Sequence, residues 1–314
     1  MEPKESETKH GERRRFSGST GLLAALALGT TLLFWASSFP LIRVALDAYS
    51  PGQIALMRFA IASILLAVFV LPRRMGLPKR ADLPGPLVAG LLGIFAYPVA
   101  LGYGQQSVGS GPAAVLVESA PIFTALFAAL FLRERLRLRD WVGILVAFFG
   151  VAVIAVGESD GDFGIAPGAP LLLVAAVTTS AYFVAQKPYL ARYGALAVAF
   201  YTLLAGTAGL LVFAPGVLET VRQASLEETL SVLYLGVFPS AVAYTTWAYA
   251  LSKLSASKAA SYLYLIPPLT FVIAWAFFGE TPTALSVAGA AVTLAGVAAV
   301  QTFSRSNRRE LKTG

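Results

Sequence analysis

In a chain that is 57% hydrophobic and only 13% charged, the side chains able to do chemistry stand out by their placement. Glu118 is the one acidic residue well inside an apolar run, one turn before Pro121, and Arg58 lies at similar depth in an earlier run. A carboxylate in hydrocarbon is costly, so it must face the protein interior, find a partner or carry a proton. An Arg58–Glu118 charge pair is the structural expectation; contact of Glu118 with a substrate amine, or a part in proton coupling, is the functional one. A side chain snorkelling outward is the third reading. Tyr97, Tyr182, Gln186, Tyr244, Trp247 and Tyr264 add flat rings and polar tips that suit a cavity for amphipathic ligands. Tyr and Trp also form belts at membrane interfaces, a reading that applies most to Tyr49, Tyr103, Trp141 and Tyr249. Ser37 and Ser38 can bond a ligand carboxylate or back-bond to their own helix, and Ser119, next to Glu118, joins the expected substrate contacts.

Several chemistries are excluded. The chain has no cysteine and a single histidine, His10 in a polar tail, which removes disulfides, thiolate metal sites and histidine-based catalysis. A Walker glycine loop, an HExxH motif and an acidic metal cluster are all missing, so no cofactor or metal is implied and no enzyme activity is expected.

The elements that must position these residues are membrane helices. Crossing ~30 Å of hydrocarbon takes ~20 mostly apolar residues. Candidate spans fall at 21–42, 53–71, 84–104, 112–132, 140–157, 168–187, 195–214, 229–251, 258–279 and 283–303. The expected fold is an all-α polytopic membrane protein with ten transmembrane helices. Residues 1–20 and 304–314 are too polar to span and read as tails, and the first helix reads as uncleaved.

Charge placement sets the topology. Of 24 Lys and Arg, all but Arg43, Arg58 and Arg222 fall on one side under ten spans, and the other side carries acidic loops with Glu158, Asp160, Asp162, Glu219, Glu227 and Glu228. Basic residues mark the cytoplasmic side, so both termini are expected there. The net charge of +7 is thus topogenic and implies no nucleic-acid partner.

The chain also repeats itself. A shift of 146 lays residues 109–154 on 255–300 without a gap, matching Pro121 with Pro267, Glu134 with Glu280, Gly143 with Gly289 and Gly150 with Gly296. The register reaches back to Gly90 with Gly236, and a shift of 144 relates Phe39, Arg43 and Tyr49 to Phe183, Lys187 and Tyr193. A unit of five spans is odd, so the second copy enters from the opposite side: two inverted five-helix repeats, 21–157 and 168–303, joined by an external linker at 158–167. Such repeats can exchange conformations around a midplane site. Arg58 and Glu118 meet Thr202 and Tyr264, so the charges break the symmetry. Pro121, Pro267 and Pro268 sit mid-span and free backbone groups one turn earlier, either as gating hinges or as static kinks. Glycines at 143, 150 and 157, and again at 289 and 296, read as packing surfaces.

Trp35-Ala-Ser-Ser-Phe-Pro40, Ser50-Pro51…Leu56-Met-Arg58-Phe59 and Pro121…Glu134-Arg135, repeated as Pro267…Gly279-Glu280, resemble the EamA pattern of the drug/metabolite transporter superfamily. The likeness covers nearly all of residues 20–303, and the whole chain looks like the YddG-type amino-acid exporters. The second copy departs from the pattern, with Ala181-Tyr182-Phe183-Val184 where the first has Ser37-Ser38-Phe39-Pro40. The resemblance implies a secondary transporter in a bacterial-type inner (plasma) membrane, exporting amino acids or similar small metabolites by alternating access. Its partners would be a small-molecule substrate and the lipid bilayer, as monomer or homodimer. A sugar-like or nucleotide-sugar carrier of the same fold is the alternative, disfavoured by the lack of interior cations beyond Arg58. A passive channel and a membrane enzyme rank lower.

Overall fold

The computed structural model describes residues 5–73, 75, 78–108, 110–134, 136–158, 167–278 and 283–313. Every regular element among them is helical. The first half contains α1 (Glu5–Ala45), α2 (Pro51–Val70), α3 (Pro84–Gly90), α4 (Tyr97–Gln105), α5 (Ser110–Val117), α6 (Ala120–Phe131) and α7 (Leu138–Glu158). The second contains α8 (Ala169–Tyr193), α9 (Ala195–Leu210), α10 (Val217–Gln223), α11 (Leu226–Leu235), α12 (Ala243–Lys253), α13 (Ala256–Ala260), α14 (Ile266–Phe278) and α15 (Ala284–Thr313). Seven helical stretches among the described residues are long and apolar enough to cross a membrane, and a shorter apolar helix covers Val287–Val300. The two other expected spans, 140–157 and 258–279, fall on α7 and on α13 with α14. Both polar tails continue as helix, α1 reaching back to Glu5 and α15 forward to Thr313. Most of the expected linker (159–166), Gly279, Glu280 and Arg135 lie outside the described residues.

Local chemistry sets the helix ends. Ser50 and Ser225 open α2 and α11 with capping boxes closed by Gln53 and Glu228, satisfying amides that would otherwise lack partners. Gly194, at φ 77°, parts α8 from α9 in a conformation that L side chains resist. Outward-facing side chains such as Ile64, Phe69, Leu130 and Phe149 are more than half exposed. An apolar surface of this extent needs a bilayer to cover it.

Two helices are wound wider in the middle. A π-helical turn at Leu91–Ala96 joins α3 to α4, and another at Gly236–Val242 joins α11 to α12. They occupy matching positions of the two repeats. Each starts beside a glycine used for close approach. A Cβ on Gly90 would lie 2.4 Å from the Thr202 carbonyl oxygen in α9, and one on Gly236 would lie 2.7 Å from the Ile61 side chain in α2.

A large apolar cluster runs through α1, α2, α4, α8, α9 and α12. A smaller one joins α7 to α15 through Ile144, Ala147, Val151, Val297 and Val300. There the glycines work as the sequence suggested. A Cβ on Gly150 would come within 2.4 Å of Thr293 N, and one on Gly296 within 2.4 Å of Ala147 N, so the two backbones touch.

Candidate functional site

Proline breaks two helices where the site forms. Pro121 has no amide hydrogen to donate to Val117 one turn earlier, and the helix opens there: Glu118 and Ser119 form a turn between α5 and α6. In the second half Pro267 and Pro268 follow a 3-10 segment, Ser261–Leu265, between α13 and α14. Glu118 and Tyr264, matched by the repeat, therefore both sit at a break.

A cavity of about 20 Å³ adjoins the first break, lined by residues of α1, α4, α5, α6, α8, α12, the 3-10 segment and α14. That is room for roughly one water molecule. Its walls obey the repeat. Trp35 and Phe39 correspond to Thr179 and Phe183, and Val117 and Ala120 correspond to Leu263 and Ile266; all of them line the space. Ser38, Tyr97, Glu118 and Tyr244 complete the wall. Tyr182, the counterpart of Ser38, is buried against Phe183 and Tyr244 of the wall, and Tyr264, the counterpart of Glu118, is buried in the cluster that joins α7 to α15.

The upper part of this chamber is an aromatic stack. Trp35 lies 6.1 Å from Phe183 in a stacked pair, 5.5 Å from Tyr244 edge-on and 5.4 Å from Trp247. Phe183 and Trp247 rings are 4.5 Å apart, and Tyr182 packs 5.9 Å from Tyr244. Two of these aromatics cap the π turns. Trp35 Nε1 donates to the Pro239 carbonyl at 3.1 Å, and the Tyr244 hydroxyl donates to the Gly93 carbonyl at 3.3 Å. Gly93 and Pro239 are repeat equivalents, so each widened turn offers the same carbonyl to a ring of the chamber.

Glu118 Oε2, on a lining residue of the chamber, has no hydrogen-bond partner, and neither do Thr124 Oγ1, Trp247 Nε1, the Tyr264 hydroxyl and the side-chain amide atoms of Gln105 and Gln186 elsewhere in the core. The Tyr182 hydroxyl faces Thr202 and Gln186 but makes no well-shaped hydrogen bond. An unmade hydrogen bond on a buried group costs about 1–3 kcal/mol, more for a charge. Of these groups Glu118 lines the chamber, where a polar group entering it could meet the unpartnered oxygen.

Some expectations change. No ion pair joins Arg58 to Glu118. Arg58 Nε instead donates to Ser240 Oγ at 2.8 Å, and its guanidinium carbon sits 5.0 Å from the Phe59 ring centre. Similar depth in two helices fixes height, not direction around the axis. Ser37 bonds the Tyr234 hydroxyl at 2.8 Å and lies outside the chamber lining, whereas Ser38, which does line it, back-bonds to Trp35 O at 2.6 Å. Ser119 likewise back-bonds to Leu116 O at 2.7 Å. Trp35, Phe39, Thr179 and Phe183 are contacts that sequence reasoning missed. Helical spacing held the signal, since Trp35, Ser38 and Phe39 share one face, as do Thr179 and Phe183.

Glu134 has a structural task. Its carboxylate accepts from Ala256 N at 2.7 Å, Ser257 N at 3.2 Å and Ser257 Oγ at 2.5 Å, holding the start of α13.

A model of the EamA-like transporter family matches this chain twice, over residues 20–156 and 166–302. The chain is 39% identical over 290 residues to a probable terminal-alkyne amino-acid exporter of Streptantibioticus cattleyicolor, covering 92% of this chain and 97% of that protein. It is 39% identical over 263 residues to the uncharacterized transporter YdfC of Bacillus subtilis, covering 84% of this chain and 86% of the relative. A solved crystal structure shares the fold with TM-score 0.72 at 24% identity, over 90% of this chain and 98% of that one. These names indicate a transporter rather than an enzyme.

Proposed function

We propose, from the premise that the chain belongs to the EamA-like transporter family, that it is a secondary transporter exporting amino acids or similar small metabolites by alternating access. The observation that carries this reading is the small chamber of about 20 Å³, walled by matching faces of the two repeats and lined by Glu118, whose Oε2 has no hydrogen-bond partner. A space that small admits no amino acid, so the walls must part on one side and then the other. The ten-span arrangement, with inverted repeats 21–157 and 168–303 and both termini in the cytoplasm, supplies that motion. The relative named as an amino-acid exporter supports the substrate class.

Ser38, Tyr97, Glu118 and Tyr244 make direct contact in this scheme, and Tyr182, Gln186, Trp247 and Tyr264 come into reach as the chamber widens. The breaks before Pro121 and before Pro267 and Pro268 serve as hinges. The seat is a bacterial-type inner membrane.

Counterflow in proteoliposomes loaded with labelled amino acids, sugars or nucleotides tests the reading. Saturable exchange of amino acids supports it. Exchange confined to sugars or nucleotides, or flux that never saturates, sinks it.

A further inference from the structure

Arg58 is 4% exposed and Glu118 3% exposed, a guanidinium and a carboxyl group within one apolar core. They lie beyond 4.0 Å of one another, since no ion pair forms between them. The guanidinium carries five N–H donors. Among the described residues its hydrogen bond runs from Nε to Ser240, and no carboxylate there comes within ion-pair distance. Glu118 leaves Oε2 without any partner. A buried ionisable group must be paired, solvated or neutralised, and a ligand that brings the opposite charge would supply each of these groups with a partner.

Tyr97 connects the two. It is within electrostatic range of both Arg58 and Glu118. It lines the Glu118 chamber, while the next residue, Pro98, lines a small cavity of about 10 Å³ that holds Arg58 with Ile42, Ile54 and Gly102. Arg58 sits 5.0 Å over the Phe59 ring, which meets the Tyr244 ring of the chamber wall at 5.5 Å. A widening of the chamber past these rings would give a slot with the guanidinium at one end and the Glu118 carboxyl group at the other.

We propose that Arg58 anchors a substrate carboxylate while Glu118 anchors its ammonium group, so that this chamber selects zwitterions. The assignment rests on the transport reading above and deepens it. A neutral sugar would leave both protein charges uncompensated. A phosphate ester would satisfy Arg58 but meet repulsion from Glu118. A simple amine would satisfy Glu118 alone. Only a molecule bearing both charges neutralises both ends. Thr202 and Tyr264, the repeat counterparts, are uncharged, so the slot has one polarity and sets one orientation of the ligand.

The test uses the full-length protein in proteoliposomes. Counterflow across the proteinogenic amino acids finds the best substrate. Its decarboxylated amine and its deaminated acid then compete against it. In the unmodified protein each analogue should compete about 10-fold more weakly, the worth of one charge-assisted hydrogen bond. Arg58→Gln should erase the preference for the amino acid over the amine and keep that over the acid; Glu118→Gln should do the reverse. Arg58→Lys should retain part of the carboxylate preference. An amine that competes as well as the amino acid in unmodified protein overturns the role of Arg58 and leaves the transport reading standing, even if Arg58→Gln fails to fold. Arg58→Gln weakening amine and amino acid equally overturns it too. Exchange of sugars but no amino acid overturns both.

Discussion

The two halves of this molecule keep the same packing devices and divide over charge. Gly90 and Gly236 each let a π turn approach a neighbouring helix, and Gly150 and Gly296 each bring α7 against α15. Arg43 donates to the Gln105 carbonyl at 3.3 Å, and its counterpart Lys187 donates to the carbonyls of Leu251 and Leu254, so each half caps a helix C-terminus with a cation. The likeness stops at the buried ionisable groups: Glu118 is matched by Tyr264, and Arg58 by Thr202. In the proposed alternating-access motion, shape would serve both directions, whereas recognition would rest on one set of ionisable groups.

That contrast can be broken most forcefully at its most unequal pair. Glu118→Gln should slow counterflow by about 100-fold, in line with the loss of one partner from a buried charged contact. Tyr264→Phe should cost far less, since it removes a neutral hydroxyl. Equal losses at both positions would show that the halves share recognition after all.

The packing pairs should behave in the opposite way. Gly150→Ala and Gly296→Ala each drive a methyl into a backbone, which costs about 1–3 kcal/mol by overpacking. Both should lower the detergent melting temperature by similar amounts, whereas Gly21→Ala, with open space around it, should not. A large difference between the first two would deny their equivalence.

The helix breaks come next. Pro121→Ala and Pro267→Ala restore a backbone donor and should stiffen the bends, cutting counterflow severalfold while leaving melting temperature unchanged or raised. Full activity in both variants would make the bends static.

The smallest effect is expected at the rims. Tyr49, ending the first repeat's opening helix, bonds Thr229 at 3.0 Å. Tyr193, its counterpart, donates to Asp82 at 2.6 Å, and Asp82 also accepts Arg192 at 2.7 Å. One latch is neutral and the other ionic. The chain has no native cysteine, so a single engineered one reports access to either side. Raising salt, or Asp82→Asn, should speed labelling from the Asp82 rim and leave the Tyr49 rim unchanged. Tyr49→Phe should do the reverse, without salt dependence.

Much of this was legible in the residues because hydrocarbon leaves few choices. Ser50-Pro51 and Gly194 announce helix ends, and the matched prolines announce breaks. The chamber was legible only in part. Tyr97, Glu118, Ser38 and Tyr244 stood out as polar groups in apolar runs, but Trp35 and Phe183 were visible only as parts of the repeated motif stretches. The partner of Arg58 was not readable at all, because Ser240 lies in a π turn whose extra residue rotates the helix away from simple periodicity.

One consequence follows from the size of the chamber. A proton hops along an unbroken file of hydrogen-bonded waters, and about 20 Å³ holds roughly one. A chamber of that size would interrupt such a file, so proteoliposomes carrying the idle protein should hold a proton gradient as long as protein-free ones do.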